Sequence, residues 1–347
     1  MVENNGARSV LPERRSPLEI IMRYALTWTD AVVRAVRDVT PTVRSFEIAA
    51  EAGRALSFNP GAHLDVRVLV NGLPEIRSYS LVGEAQPDCY RIAVKRRAES
   101  TGGSAYMWTL QPGARLSITE PLTSFAIDYD RPEFLLVAGG IGITPIVGMA
   151  TLLQRRGARV RLLYAAHTRD ELAFEGELRA ELGDRLETFV SAEGRRIDFA
   201  AAFAGLAPGA LCALCGPMRM LDEARRLWSQ TGRPNADLRW ETFGSSGAFA
   251  AEDFKVAIPR HGVEIVVSRN RSLLDALGDA GIEVMSDCRR GECGLCAVTV
   301  VSFDGQIDHR DVFLSEAQKK ENHKLCACVS RAVGTVVLDT DYRPDAI

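Results

Sequence analysis

The sequence predicts a multidomain α+β and α/β protein: an antiparallel β-barrel, then a doubly wound parallel α/β unit, then a small C-terminal domain built around a cysteine loop. Three observations predict it. Short alternating strands separated by Gly, Pro and Asn turns fill residues 26–128. A continuous apolar strand running into glycines, FLLVAGG from Phe134, opens a strand–helix–strand alternation. Five of the eight cysteines crowd the stretch from Cys288 to Cys328. At 347 residues the chain is longer than one core usually spans, so several domains are expected.

Taken in order, residues 1–25 lack periodicity and carry Pro12 and Pro17 among charges, as an N-terminal extension would. The barrel, residues 26–128, contains the alternating runs AVVRAV, TVRSFEIA, HLDVRVLV and YRIAVKRR. In the second unit, residues 129–240, FLLVAGG is followed by the helical PIVGMATLLQRR, the strand RVRLLYAAH, the helical DELAFEGELRAEL and the strand GALCALCG. The small-residue run GSSGAFAAED marks a linker, placed at 241–252. In residues 253–347, FKVAI and VEIVVS read as a hairpin, RSLLDALGDAG as a short helix, and AVTVV and TVVLD as strands around the cysteine loop.

Composition narrows the function classes. Hydrophobic residues at 46% and charged residues at 25% match a globular protein, and a net charge of −3 offers no basic surface for nucleic acid. No run of about 18 apolar residues occurs, and Met1 to Pro17 has no apolar stretch, so neither a membrane span nor a secretory signal is visible. We therefore expect a cytoplasmic protein with no membrane partner. Clustered thiols in a reducing compartment bind metal or do redox chemistry more often than they cross-link. The five histidines, at 63, 167, 261, 309 and 323, show no paired metal-ligand spacing.

The strongest motif is Cys288-RRGE-Cys293-GL-Cys296, a C-x4-C-x2-C run with further cysteines about thirty residues on, the spacing of plant-type 2Fe-2S sites. Gly291 and Gly294 let the loop wrap a cluster and aim backbone N–H groups at its sulfurs. A zinc site or a set of core thiols is the alternative, although zinc sites favour C-x2-C pairs. Residues 254–347, including Cys328-VSRA, resemble a plant-type ferredoxin. That resemblance implies a β-grasp fold and a ligand set of Cys288, Cys293, Cys296 and Cys328; Cys326 departs from the family pattern.

A second motif is Arg77-Ser78-Tyr79-Ser80-Leu81, at the end of a barrel strand. Arginine can hold a phosphate, tyrosine can pack on a flat ring and serine can reach a ring nitrogen, although all three also decorate ordinary strands. Thr101-Gly102-Gly103-Ser104 precedes the helical AYMWTL, whose first N–H groups could cradle the same phosphate. The pair resembles the flavin-binding barrel of the ferredoxin reductase superfamily, which implies that Arg77, Ser78, Tyr79, Ser80, Gly102, Gly103 and Ser104 bind the flavin.

A third signal is Gly139-Gly140-Ile141-Gly142-Ile143-Thr144-Pro145, between strand and helix, with a second glycine turn at Cys215-Gly216-Pro217-Met218. Neither is the G-x-G-x-x-G fingerprint. With Trp240-Glu241-Thr242-Phe243 they resemble the pyridine-nucleotide domain of the same superfamily. By that resemblance Gly140, Gly142, Thr144, Cys215, Gly216, Pro217 and Phe243 bind the nucleotide, and Ser80, Thr144, Cys215 and Glu241 stand at the transfer site. Asp170 falls where a ribose 2′-hydroxyl would be read and disfavours a 2′-phosphate, while Arg169 could attract one; a solvated loop is the other reading. Cys212 and Cys215 spell C-x-x-C at a strand end, not before a helix as in thioredoxins. Met107, Trp108, Met149, Met218 and Met220 read as packing residues.

In this order the three units resemble the phthalate dioxygenase reductase family over residues 26–347. The resemblance implies an NADH-dependent oxidoreductase with FMN and a 2Fe-2S cluster, a monomer that passes single electrons to a terminal oxygenase, by family a Rieske-type one. FMN is preferred over FAD also because no extra adenine-binding segment separates RSYSL from GGS. A patch on the cluster loop, Arg289, Arg290 and Glu292, is the expected partner contact, although exposed charges on a loop are more often simply solvated. A self-contained reductase of a small molecule or haem protein, and a zinc-binding interaction protein, are the competing classes.

Overall fold

In the computed structural model the described residues are 27–340, except 52, 54, 71, 97–101, 124, 244–251 and 270. The N-terminal extension, Thr101 and most of the expected linker lie outside them.

Alternation of β-branched and polar residues builds the first sheet. Strands β1 (Trp28–Thr40), β2 (Val43–Ala50), β3 (Ala62–Val70), β4 (Leu73–Ser80), β5 (Tyr90–Lys95) and β6 (Arg115–Thr119) pair in the order β4-β3-β6-β1-β2-β5, and β7 (Leu122–Thr123) pairs with β3. All these pairings are antiparallel. A bridge from Leu81 to Ile92 joins the end of β4 to β5 and curls the sheet shut. Helix α1 (Gly103–Thr109) sends Met107 into the barrel core beside Phe46, Leu64 and Ile118.

Five parallel strands follow: β8 (Phe134–Gly139), β9 (Val160–Ala166), β10 (Leu186–Val190), β11 (Leu211–Cys215) and β12 (Leu238–Glu241), in the order β10-β9-β8-β11-β12. Every residue of β8 is buried, because helices cover both faces of the sheet. Phe134, Leu136 and Ala138 face the layer holding α2 (Ile143–Arg155) and α3 (Glu175–Leu182). Leu135 and Val137 face the layer holding α4 (Phe199–Ala204) and α5 (Met218–Gln230). The chain runs outward from β8 to β10 and then returns to β11 on β8's other side, so strand order reverses between β8 and β11. The crevice at the C-terminal ends of such strands is where doubly wound sheets bind ligands.

The third sheet is mixed. Strands β13 (Phe254–Ile258) and β14 (Val263–Val267) form the expected hairpin, and α6 (Leu273–Asp279) buries Leu273, Leu274 and Leu277 on the sheet. With β15 (Ala297–Asp308), β16 (Lys324–Cys326) and β17 (Arg331–Asp339) the order is β14-β13-β17-β15-β16, a sheet gripping one helix as a β-grasp does. Strand β15 runs past the expected AVTVV because β17 pairs with it as far as Asp308–Arg331. Helix α7 (Glu316–Glu321), absent from the sequence reading, starts at a capping box made by Ser315 and Gln318.

Candidate active site

Pleating places Arg77 and Tyr79 on one face of β4 and Ser78 and Ser80 on the other. A Cβ added at Gly103 would lie 2.8 Å from Arg77 Cγ and 2.9 Å from its Nε, so only glycine lets this arginine lie across the start of α1. Gly102 has φ of 104°, and a Cβ there would strike Val70. The guanidinium and the first turn of α1, carrying Gly102, Gly103 and Ser104, therefore share one cradle, which fits a phosphate. Arg77 meanwhile bonds Glu75 at 2.5 Å and the Ile76 carbonyl. Tyr79 is half-buried, and burial pushes its phenol above the ordinary range. Ser80 is buried, whereas Ser78 is exposed and its hydroxyl donates to buried Asp65 at 2.5 Å.

At the reversal between β8 and β11 the two glycine turns pack backbone against backbone. A Cβ at Gly142 would lie 2.3 Å from the Cys215 carbonyl oxygen, and one at Gly139 would lie 2.6 Å from Pro217 Cδ. Tyr164 of β9 donates to the Gly140 carbonyl at 3.2 Å, and buried Thr144 donates to the Ile141 carbonyl at 3.0 Å. Gly140, Gly142, Thr144, Cys215, Gly216 and Pro217 thus share one strand-end crevice. Glu241 joins them, because β12 pairs with β11 and sets Glu241 beside Cys215. Burial first, then the carboxylates of Glu241 and Glu292, pushes the Cys215 thiol well up, so it stays protonated. Phe243 is exposed just beyond β12. Asp170 is exposed after β9, and neighbouring Arg169 is gripped by Glu193 through contacts of 2.7 and 2.8 Å.

In the cysteine loop, the N–H groups of Arg290, Glu292 and Cys293 converge on Cys288 Sγ, each at 3.4 Å. Gly291 and Gly294 have φ of 76° and 74°, and added Cβ atoms would strike Asp311 and the Phe313 ring. Cys296 Sγ lies 3.2 Å from Cys328 Sγ, and all eight cysteines are free thiols. Cys326 also donates to Cys296, and together with Cys328 it holds that thiol below its ordinary range. The two candidates for fourth ligand differ in surroundings: Cys328 faces Cys288 and the Gly291 N–H, whereas Cys326 faces Asp311. Among the described residues no three His, Cys, Asp or Glu side chains form a set for a single metal ion. The fit to a two-iron cluster rests on the thiol donors, the converging N–H groups and the two glycines.

The expected partner patch is corrected at this loop. Arg290 turns inward: its Nη1 lies 2.5 Å from Glu241 Oε1, with side chains 9% and 1% exposed. Glu292 accepts the Thr242 N–H at 2.9 Å. Only Arg289 stays largely open, paired with Asp275. The charges of Arg290 and Glu292 are not open to a partner, because the end of β12 and Thr242 beyond it cover this side of the loop. His63, one of the five scattered histidines, is buried on β3 opposite Ser80 and feels the charge of Arg290. Its adjacency to RSYS becomes legible only once β3 and β4 are paired.

The 2Fe-2S iron-sulfur cluster binding domain model matches residues 256–333. The chain is 36% identical over 314 residues to the heme-dependent oxidative N-demethylase beta subunit of Ectopseudomonas mendocina, covering 90% of this chain and 98% of that one. It is 34% identical over 314 residues to phthalate dioxygenase reductase of Burkholderia cepacia, covering 85% and 92%. A solved phthalate dioxygenase reductase, described as modular for electron transfer from pyridine nucleotides to 2Fe-2S, superposes with a TM-score of 0.75 at 31% identity, covering 90% of this chain and 98% of that one. Barrel, parallel sheet and iron-sulfur domain on one chain define a modular oxidoreductase. The chain belongs to the phthalate dioxygenase reductase family. No helix among the described residues is long and apolar enough to cross a membrane.

Proposed function

We propose that this chain is the reductase component of an oxygenase system, oxidising NADH and delivering electrons singly to a partner through FMN and a 2Fe-2S cluster. The observation that carries the reading is the meeting of the strand-end crevice, at Cys215 and Glu241, with the cysteine loop, at Arg290 and Glu292. Bound FMN supplies hydride acceptance and release of electrons one at a time, and the cluster supplies a one-electron carrier.

The chain's residues do the rest. Arg77 and the turn at Gly102, Gly103 and Ser104 hold the flavin phosphate, Tyr79 packs on its ring, and Ser78 and Ser80 lie along the same strand end. Gly140, Gly142, Gly216 and Pro217 admit the dinucleotide backbone, and Thr144 caps the crevice floor. A protonated Cys215 presents no negative charge to the nicotinamide, while Glu241 and Phe243 close that side. Asp170 favours a ribose hydroxyl, and Arg169, occupied by Glu193, is poorly placed for a 2′-phosphate, which supports NADH. Cys288, Cys293, Cys296 and Cys328 ligate the cluster.

The partner is a Rieske-type oxygenase, the protein acts as a monomer, and its place is the cytoplasm. A haem-protein partner is the second reading, favoured by the similarity to a haem-dependent demethylase subunit. The test is anaerobic NADH titration of Cys293→Ser: cluster absorbance should vanish while the flavin still bleaches, and the extracted flavin should have the mass of FMN. Loss of flavin bleaching together with the cluster would sink the modular reading, and FAD alone in the extract would overturn FMN.

A further inference from the structure

We propose that Arg290 is a positioning residue that clamps the cysteine loop to the end of the nucleotide-binding sheet through Glu241 and thereby sets the crossing between flavin and cluster. The inference deepens the function proposed above and rests on it.

The clamp is double. Arg290 bonds Glu241 at 2.5 Å, and Glu292, two residues after Arg290, accepts the N–H of Thr242, the residue after Glu241, at 2.9 Å. Arg290 Nε also lies 3.8 Å from Glu292, so the charges form a chain across the junction. The residues that reach out to 241 and 242 supply two of the three backbone N–H groups that point at Cys288 Sγ. Gly291, left-handed between them, makes both directions possible, and its carbonyl is held by the N–H groups of Val312 and Phe313 at 3.0 and 3.2 Å. Any shift of the clamp must therefore move the first cysteine. On the barrel side the charge of Arg290 reaches His63, whose register partner is Ser80.

Apolar contact already holds the loop's far flank: Val312 is buried in the core layer of α4 and α5, and its carbonyl accepts from Arg225 at 3.3 Å. A buried ion pair is a poor source of net stability, because desolvation offsets most of its attraction. What it adds to the apolar contact is direction, since a charge-assisted bond has one preferred geometry. The electrons balance with the partner oxygenase as acceptor. One NADH and one proton would bring two electrons to the flavin, and two successive crossings, with the one-electron cluster passing the first electron to the partner before it takes the second, would discharge them and release two protons.

The test uses the full-length holoprotein with Arg290→Met, Arg290→Lys and Glu292→Ala. Flavin and cluster reduction are followed separately in anaerobic stopped flow with NADH, and hydrogen exchange is read at the Thr242 amide. In Arg290→Met, cluster reduction should slow about tenfold relative to flavin reduction, and Thr242 should exchange faster. Arg290→Lys should recover most of both. Cluster absorbance at the parental level would show that the loop is still built; if Arg290→Met loses the cluster, Glu292→Ala carries the same two readings. Faster Thr242 exchange with cluster reduction within about twofold of the parent would overturn the proposal, as would unchanged exchange. A parent protein in which NADH never reduces the cluster would refute the electron-transfer function itself, and Thr242 exchange would then judge the clamp alone.

Discussion

His63 lies opposite Ser80 on β3 with its ring buried, and its pKa falls from 6.5 to about 4 through burial first and the guanidinium of Arg290 second, with Asp65 opposing. The folded pKa is below the unfolded one, so the unfolded chain takes up the proton first as pH falls. The neutral ring's contribution is complete above pH 6.5 and is lost as pH drops towards 4, worth at most roughly 3 kcal/mol. His63→Gln should flatten the pH dependence of denaturant unfolding between pH 6.5 and 4; an unchanged slope would show that another group titrates there. Nothing in the sequence marked this histidine among five scattered ones, because its neighbours come from β4 and from a loop more than two hundred residues away. The same holds for Arg290: a charge in a loop is exposed by default, and its burial depends on a contact with Glu241, 49 residues distant.

At the level of elements, the glycine turns were legible as motifs, but the reason each glycine is required is a contact. Gly142 has an ordinary helical conformation, so the sequence alone would permit alanine; the obstacle is the Cys215 carbonyl 2.3 Å from the added carbon. Gly142→Ala should cost about 1–3 kcal/mol by overpacking and should raise the KM for NADH by prising β11 from α2. Gly176, on the exposed face of α3, has no atom within 4 Å of an added Cβ, and Gly176→Ala should stabilise by about 0.5–1 kcal/mol. Thermal melts of the pair check both signs; a neutral Gly142→Ala would mean the turns can separate freely. Strands with clean alternation and the parallel β8 were readable from period alone. Strand β16 was not, since three residues carry no period, although the Ser315 to Gln318 capping box of α7 was available as a local signal.

For the whole molecule the junction makes an unequal prediction. Ending the chain at residue 252 removes Arg290 but also returns Glu241 to water, so the remaining part should keep NADH-dependent flavin bleaching and lose only about 1–2 kcal/mol, mainly the cover given by Val312. Arg290→Met leaves Glu241 buried without that partner and should cost more, about 3–5 kcal/mol. Flavin release on heating compares the two; a truncation that melts below the point variant would mean that the iron-sulfur domain stabilises its neighbours by area and not by this pair.

By itself the sequence determined the chemistry each segment can perform, because ligand spacing, glycine turns and hydrophobic period are local properties of the chain. It determined three sheets in order and the cysteine run, and through them the family. Only the tertiary structure decided which face of the cysteine loop is covered, which histidine sits opposite Ser80 of β4 and which carboxylate Arg290 meets. Those are contacts between residues far apart in the chain, and burial and charge at such contacts arise only when separately folded sheets come together.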